Sequence, residues 1–240
     1  MIKSISITLF IFLFSVAASA QTPQTPETKT SNSDTHFIGT ASVGAAFRIA
    51  SSPKGLGKAV EDYVDGLKSG ISYDASVYYR IKQKDFGFGV KFNAFNSSGT
   101  LSNQELTDID GTTGIGSTSD AITITFIGAS YIIDKYKPST RHEFNAEVAL
   151  GYMGYKDDSR IFANKYKITG STLGMDVTVG YKYRVFKNFS LGPQVGFLGG
   201  VIKKFDVKGS NGYHTTLKLD KDNYESLWRI DLSLSAIYRF

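Results

Sequence analysis

DLSLSAIYRF, residues 231–240, alternates to its last position. In an extended strand Leu232, Leu234, Ala236, Tyr238 and Phe240 point one way, and Asp231, Ser233, Ser235 and Arg239 point the other, with Ile237 the one exception. Most domains end in a frayed polar tail. The architecture turns on which solvent meets the apolar side of this strand, and the remainder of the chain supplies the answer.

The same period of two recurs in eight segments after Thr35. Apolar positions run Phe37, Ala41, Val43, Ala45, Phe47, Ile49 in the first, Ile71 to Ile81 in the second, and Phe86 to Ala94 in the third. In the fourth, AITITFIGASYIID (121–134), Ile122, Ile124 and Phe126 are set against Thr123 and Thr125, and the contrast fades around Ser130. The fifth carries Phe144 to Tyr152, the sixth Leu173 to Tyr183, the seventh Phe189 to Val201, and the eighth Trp228 to Phe240. Each reaches the nine to eleven residues that a tilted membrane strand requires. Connections alternate between short turns (82–85, 134–141, 186–188) and long segments (50–70, 96–120, 156–170, 203–223). An antiparallel up-and-down meander with two unlike ends produces that alternation, and an even strand count puts both termini at the short-turn end.

Two architectures share the pattern: a soluble barrel or sandwich with its apolar residues inside, and a membrane barrel with them outside. The polar faces here are mostly Gly, Ala, Ser and Thr with isolated charges of both signs, which suits a crowded lumen and not a water-facing surface. Aromatic placement agrees. Phe37, Tyr79, Phe86, Phe144, Tyr183, Phe189, Tyr238 and Phe240 fall at the short-turn ends, and Phe47, Tyr73, Tyr152 and Trp228 near the long-connection ends. From Phe240 to Trp228 at ~3.3 Å per residue and a tilt near 40° is roughly 30 Å, slightly more than an apolar band of about 25 Å. Unpaired backbone is forbidden in hydrocarbon, so the expectation is an all-β fold: a closed eight-stranded antiparallel up-and-down transmembrane β-barrel.

The N-terminus reads MIKSISITLFIFLFSVAASA, with Lys3, an apolar run from Ile5 to Phe14, and Ala18-Ser19-Ala20 as a small-x-small cleavage site. The expected organisation is a secretory signal peptide (1–20), a flexible Thr/Pro-rich leader (21–34) and the barrel (35–240). Removing residues 1–20 takes away one lysine and lowers the formal charge from +5 to +4. The chain contains no cysteine, so a lipoprotein anchor is not expected and stability comes from a core or a closed hydrogen-bond network. The 24 Gly, 14 Tyr and 17 Phe against only 5 Pro favour β-structure. The modest positive charge is spread along the chain, so no nucleic-acid partner is inferred.

These features resemble the small outer-membrane barrels of Gram-negative bacteria, of the OmpA-barrel and OmpX-like type grouped with the porin family. The resemblance covers residues 35–240 and is one of pattern. It implies a cell-envelope protein in the outer membrane, exported, multi-pass, with both termini periplasmic. It also implies contact with outer-membrane lipid and lipopolysaccharide, and an assembly signal at Leu232, Leu234, Tyr238 and Phe240 read by the barrel-assembly machinery. It departs from OmpA in that no peptidoglycan-binding domain follows Phe240.

A barrel of eight strands has an interior just filled by side chains. The inward face places Lys91 and Glu147 at similar height, with Asp74, Asp176, Asp231 and Arg229 above them, and a structural ion-pair network plugging a polar lumen is expected. No cofactor, metal or catalytic residue is expected. His36 and His142 lie at the short-turn end, and His214, near Ser210 and Thr216, has no third group to orient it for catalysis. Asp108-Ile109-Asp110-Gly111 begins like a calcium loop, but Ser119 stands where the closing Glu belongs, so a solvated acidic loop is expected. In GKAVEDYVDGLK (57–68), Ala59, Val60, Tyr63, Val64 and Leu67 share a helical face that caps the mouth or makes contacts. KFDVKGSNGYHTTLKL (204–219) reads as a raised hairpin whose edge could pair with another protein. The function expected is non-enzymatic, structural or surface-interacting through the long connections, with an extracellular ligand as a further partner. A narrow channel or carrier for small or hydrophobic solutes is the alternative, and an outer-leaflet lipid A-modifying enzyme a third.

Overall fold

The computed structural model describes residues 36–50, 57–82, 84–108, 111–137, 139–210 and 212–240. The signal peptide and leader, and Ile109 and Asp110 of the acidic loop, lie outside the described residues. Eight strands form a ring: β1 (Phe37–Arg48), β2 (Ser69–Arg80), β3 (Phe86–Thr107), β4 (Thr113–Asp134), β5 (His142–Ile161), β6 (Asn164–Phe186), β7 (Phe189–Ile202) and, after β8 (Lys204–Gly209), β9 (His214–Lys218) and the two-residue β10 (Glu225–Ser226), the closing strand β11 (Arg229–Arg239). Each ring strand is antiparallel to its neighbours. Closure comes from β11 against β1, in unbroken register from Ile38↔Arg239 to Arg48↔Arg229. Phe240 N–H donates to the Phe37 carbonyl at 2.9 Å, so both ends of the barrel chain meet at the short-turn end.

The exposure pattern is that of a protein turned inside out. Val77 is 60% exposed and Leu150 66%, while Lys91, Arg229 and Tyr78 are fully buried. The greasy outer side carries Val43, Tyr73, Val90, Phe92, Val148, Val179, Val195, Leu232 and Leu234, all exposed, in a belt around the ring. Monomeric soluble proteins do not leave so large a continuous apolar surface open to water. Placing one such side chain in hydrocarbon is worth roughly 1.5–3 kcal/mol, which makes a bilayer the solvent that this surface fits. Among the described residues no helix is long and apolar enough to cross a membrane. Strands do the crossing.

Two expectations are corrected. In β4 the buried residues are Ile122, Ile124 and Phe126, while Ile127 is exposed; the phase is opposite to that read from the sequence, and Thr123 and Thr125 face outward. Phe126 fits inward because Gly128 and Gly151 face each other across β4 and β5; a Cβ at Gly128 would lie 2.5 Å from the Leu150 carbonyl oxygen and 2.8 Å from Phe126 Cζ. The segments 96–120 and 156–170 are also not long loops. They are upward continuations of β3–β4 and β5–β6, closed by tight turns at 108–112 and 162–163. β6 uses its lower half to pair with β7 and its upper residues, Tyr166–Thr169, to pair with β8, so a wall of β3, β4, β5, β6, β8 and β9 rises above the belt.

A helix, α1 (Lys58–Gly66), connects β1 and β2. Tyr63 from this helix and Leu67 just beyond it pack into the top of the barrel, and Gly99 on β3 leaves room for both.

Candidate functional site

The lumen is organised in three levels. At the bottom, Arg239 clamps Asp134 with two bonds, Nε to Oδ2 at 2.8 Å and Nη2 to Oδ1 at 2.7 Å, and also donates to Glu143 at 2.9 Å. Arg184 Nε donates to the other Glu143 oxygen at 2.7 Å, Ser190 Oγ donates to Glu143 Oε2 at 2.7 Å, and the Tyr136 ring stacks against both guanidiniums at 4.2 and 4.7 Å. Fork-on-fork pairing of this kind is among the stronger charge-assisted arrangements. The sequence reading did not assemble this floor. Arg239, Glu143 and Arg184 were visible on the polar face, but Asp134 belongs to β4, whose phase was inverted.

In the middle, Lys91 Nζ sits among three carboxylates: Asp74 at 3.1 Å, Glu147 at 3.2 Å and Asp176 at 2.8 Å, with Thr178 Oγ1 at 2.9 Å. Tyr78 donates to Glu147 at 2.9 Å. Arg229 Nε donates to Asp231 at 3.0 Å, and Asn93 links the pair by donating to Asp231 at 3.2 Å and accepting from Arg229 Nη2. Period-two alternation brings these six charges together because Asp74 lies opposite Asn93, Glu147 opposite Thr178 and Asp176 opposite Leu198 across successive ladders. Between Asp74, Asn93, Asp176, Gln194 and Asp231 lies a small polar cavity with room for about one water.

At the top the lumen is apolar. Phe95, Ile122, Ile124, Phe126, Met153, Leu198, Ile202 and Leu227 form one buried cluster, closed by Leu67, Tyr63, Tyr155 and Phe205. A lumen polar throughout was expected; the polar filling stops at Arg229, whose guanidinium lies 5.3 Å over the Phe95 ring. Above the belt Tyr63 donates to Asp120, and Asp157, buried beside them, has its carboxyl pushed up to about 7 by burial and then by the Asp120 charge. Burial, followed by the bond to Asp120, likewise raises the Tyr63 phenol above its ordinary value.

The other residues singled out fall as follows. Phe37, Phe47, Tyr73, Tyr79, Tyr152 and Tyr183 are exposed on the outer face. Phe86 packs against Phe88 and Tyr131 at 6.0 and 5.6 Å, Phe189 against Phe186 at 6.3 Å, and Trp228 stacks on Phe197 at 4.8 Å. Leu232, Leu234, Tyr238 and Phe240 all point outward. Asp108 is not solvated: it is buried and accepts from Asn164 and from Tyr166, each at 2.7 Å, tying the β3–β4 tip to β6. His214 stands opposite Lys208 in the β8–β9 ladder, and Thr216 donates to Asp206 at 2.7 Å, so its hydroxyl is turned to a carboxylate.

No protein-family model matches the chain, and no curated protein matches it in sequence. Solved structures do. A major outer-membrane protein of Thermus thermophilus is 13% identical with a TM-score of 0.50, covering 85% of this chain and 99% of its own. Neisserial surface protein A is 19% identical with a TM-score of 0.48, covering 85% and 97%. The outer-membrane protease OmpT of Escherichia coli is 10% identical with a TM-score of 0.47, covering 89% and 99%. A fold that includes a protease does not by itself assign an activity. Ring closure, the inverted exposure pattern and the likeness to the Thermus protein together give this chain the fold of an eight-stranded outer-membrane β-barrel.

Proposed function

We propose that this chain is a non-enzymatic integral barrel of a Gram-negative outer membrane, serving envelope structure and surface contact through its raised strands. It is exported by residues 1–20, and both barrel ends are periplasmic. The observation that carries this reading is the filled lumen. A path through it would have to open the Arg239 floor, the Lys91 cluster and the Phe95–Phe126 layer in series. Removing one partner of a buried ion pair costs about 3–5 kcal/mol, so such a path is closed at rest. The outward row Leu232, Leu234, Tyr238 and Phe240 supports an assembly signal on the last strand. The test is planar-bilayer recording of the refolded protein and of Asp231→Ala. Both are expected to be silent, with the variant less heat-stable. A large stable current from either would replace the plug with a channel, and a changed lipid A mass spectrum in cells carrying the protein would make it an enzyme.

A further inference from the structure

The outer face of the raised wall is basic by construction. Facing rules follow from the ladders: Tyr152 on β5 and Leu173 on β6 point to lipid, and every second residue above them points the same way. On that face Arg160 lies directly opposite Lys165, Lys167 opposite Lys208, and Lys204 opposite Lys218. All six are exposed. His214 extends the Lys167–Lys208 row. The carboxylates on this face are Asp158, paired with Lys156, and Asp206, which accepts from Thr216. Among the described residues none of the six cations has a carboxylate within ion-pair distance.

Like charges placed directly opposite each other destabilise a sheet. Lysines on an edge strand are a common guard against unwanted pairing, and that accounts for Lys218 on β9. It does not account for Arg160, Lys165 and Lys167, which sit on the interior strands β5 and β6. Height selects the ligand. Counting ~3.3 Å per residue at a tilt near 40°, Lys167 stands about 15 Å and Arg160 about 20 Å above the Tyr152–Leu173 row. Bilayer headgroups extend only about 5–8 Å beyond the hydrocarbon on each side. An anion that neutralises the whole strip must therefore hang on a lipid whose charged groups continue well above the headgroup plane.

We infer that the β5–β6–β8–β9 outer face is a docking strip for the phosphate groups of lipopolysaccharide. The inference rests on the outer-membrane reading above and names one partner for it. Lysine and arginine at this spacing neutralise phosphates side by side, and the bound glycolipid removes the repulsion that the bare wall carries.

The test uses the full barrel in phosphatidylcholine nanodiscs with and without a phosphorylated deep-rough lipopolysaccharide, comparing the native chain with K165Q/K167Q/K208Q. Native mass spectrometry is expected to find lipopolysaccharide bound at least tenfold more weakly to the variant, with a shallower salt dependence. Without lipopolysaccharide the variant should unfold at the same temperature as the native barrel or higher, because repulsion has been relieved. Equal binding by both proteins would overturn the proposal. So would undiminished binding of a dephosphorylated lipopolysaccharide, or tighter binding of a soluble sulfated oligosaccharide than of lipopolysaccharide. A native chain that migrates identically boiled and unboiled has not inserted, and that result would sink the membrane reading and this strip with it.

Discussion

Replacing Lys91 by methionine is the sharpest perturbation of the plug. Methionine keeps the length of the side chain and removes the one ammonium shared by Asp74, Glu147 and Asp176, which lie 2.8–3.2 Å from it in a fully buried setting. Breaking a buried ion pair from one side costs about 3–5 kcal/mol, and three orphaned carboxylates place this site at the upper end. For a chain of 150–250 residues each kcal/mol moves the midpoint by about 2–4 °C, so the expected fall is roughly 10–20 °C. The assay is a temperature series of the refolded barrel in detergent, read by the loss of the compact, heat-modifiable band. E147Q alone removes one acceptor charge while leaving an amide for Tyr78, and it should cost about 1–3 kcal/mol. Combined with K91M it should cost less than the sum, with a coupling of at least about 1 kcal/mol. An unshifted midpoint in K91M, or strict additivity in the double variant, would refute the claim that this ammonium holds the lumen together.

Other outcomes follow from the same geometry. Arg239→Met should cost a comparable 3–5 kcal/mol and add to K91M within about 0.5 kcal/mol, since the two clusters share no hydrogen-bond partner; thermal melts of the double variant check it. The β4 phase is tested by a swap: Ile124→Thr should destabilise by roughly 2–4 kcal/mol, whereas Thr125→Leu should be neutral or stabilising in lipid. Asp157 makes the mouth pH-dependent. Its native carboxyl holds a proton that the unfolded chain has released between the ordinary 3.8 and about 7. Stability is therefore greatest below that window, declines by up to about 4 kcal/mol as pH rises through 7, and then levels off. Hydrogen exchange of α1 at pH 5 and pH 8 should show the helix loosening at the higher pH, and Asp157→Asn should abolish the difference. Phe240→Ser should lower the assembled fraction in cells while leaving the midpoint of refolded protein within a few degrees.

The barrel was legible because hydrocarbon imposes a strict period of two wherever the inner face is polar, as in β2 and β11. It failed in β4, where Ile122, Ile124 and Phe126 belong to an internal apolar layer and both faces of AITITFIG look greasy. The inner charges were readable one by one; Lys91 and Glu147 share a face by simple alternation. Their partners depend on the ladder register, which the side-chain pattern does not carry. The upper strand extensions were hidden for a different reason: above the bilayer no solvent enforces alternation, so SSGTLSNQELT (97–107) looks like a loop although it is half of a hairpin. The basic strip was invisible for the same cause, since Lys167 and Lys208 are forty-one positions apart and meet only through the β6–β8 pairing.

The central claim is that lipid wets the outer face of the ring. The chain contains no cysteine, so single nitroxide labels at 232, 233, 234 and 235 report unambiguously on the barrel in bilayers. Labels replacing Leu232 and Leu234 should collide freely with oxygen and poorly with a water-soluble nickel complex, while those replacing Ser233 and Ser235 should be shielded from both. High nickel accessibility at 232 and 234 would put water where hydrocarbon is required and contradict the account.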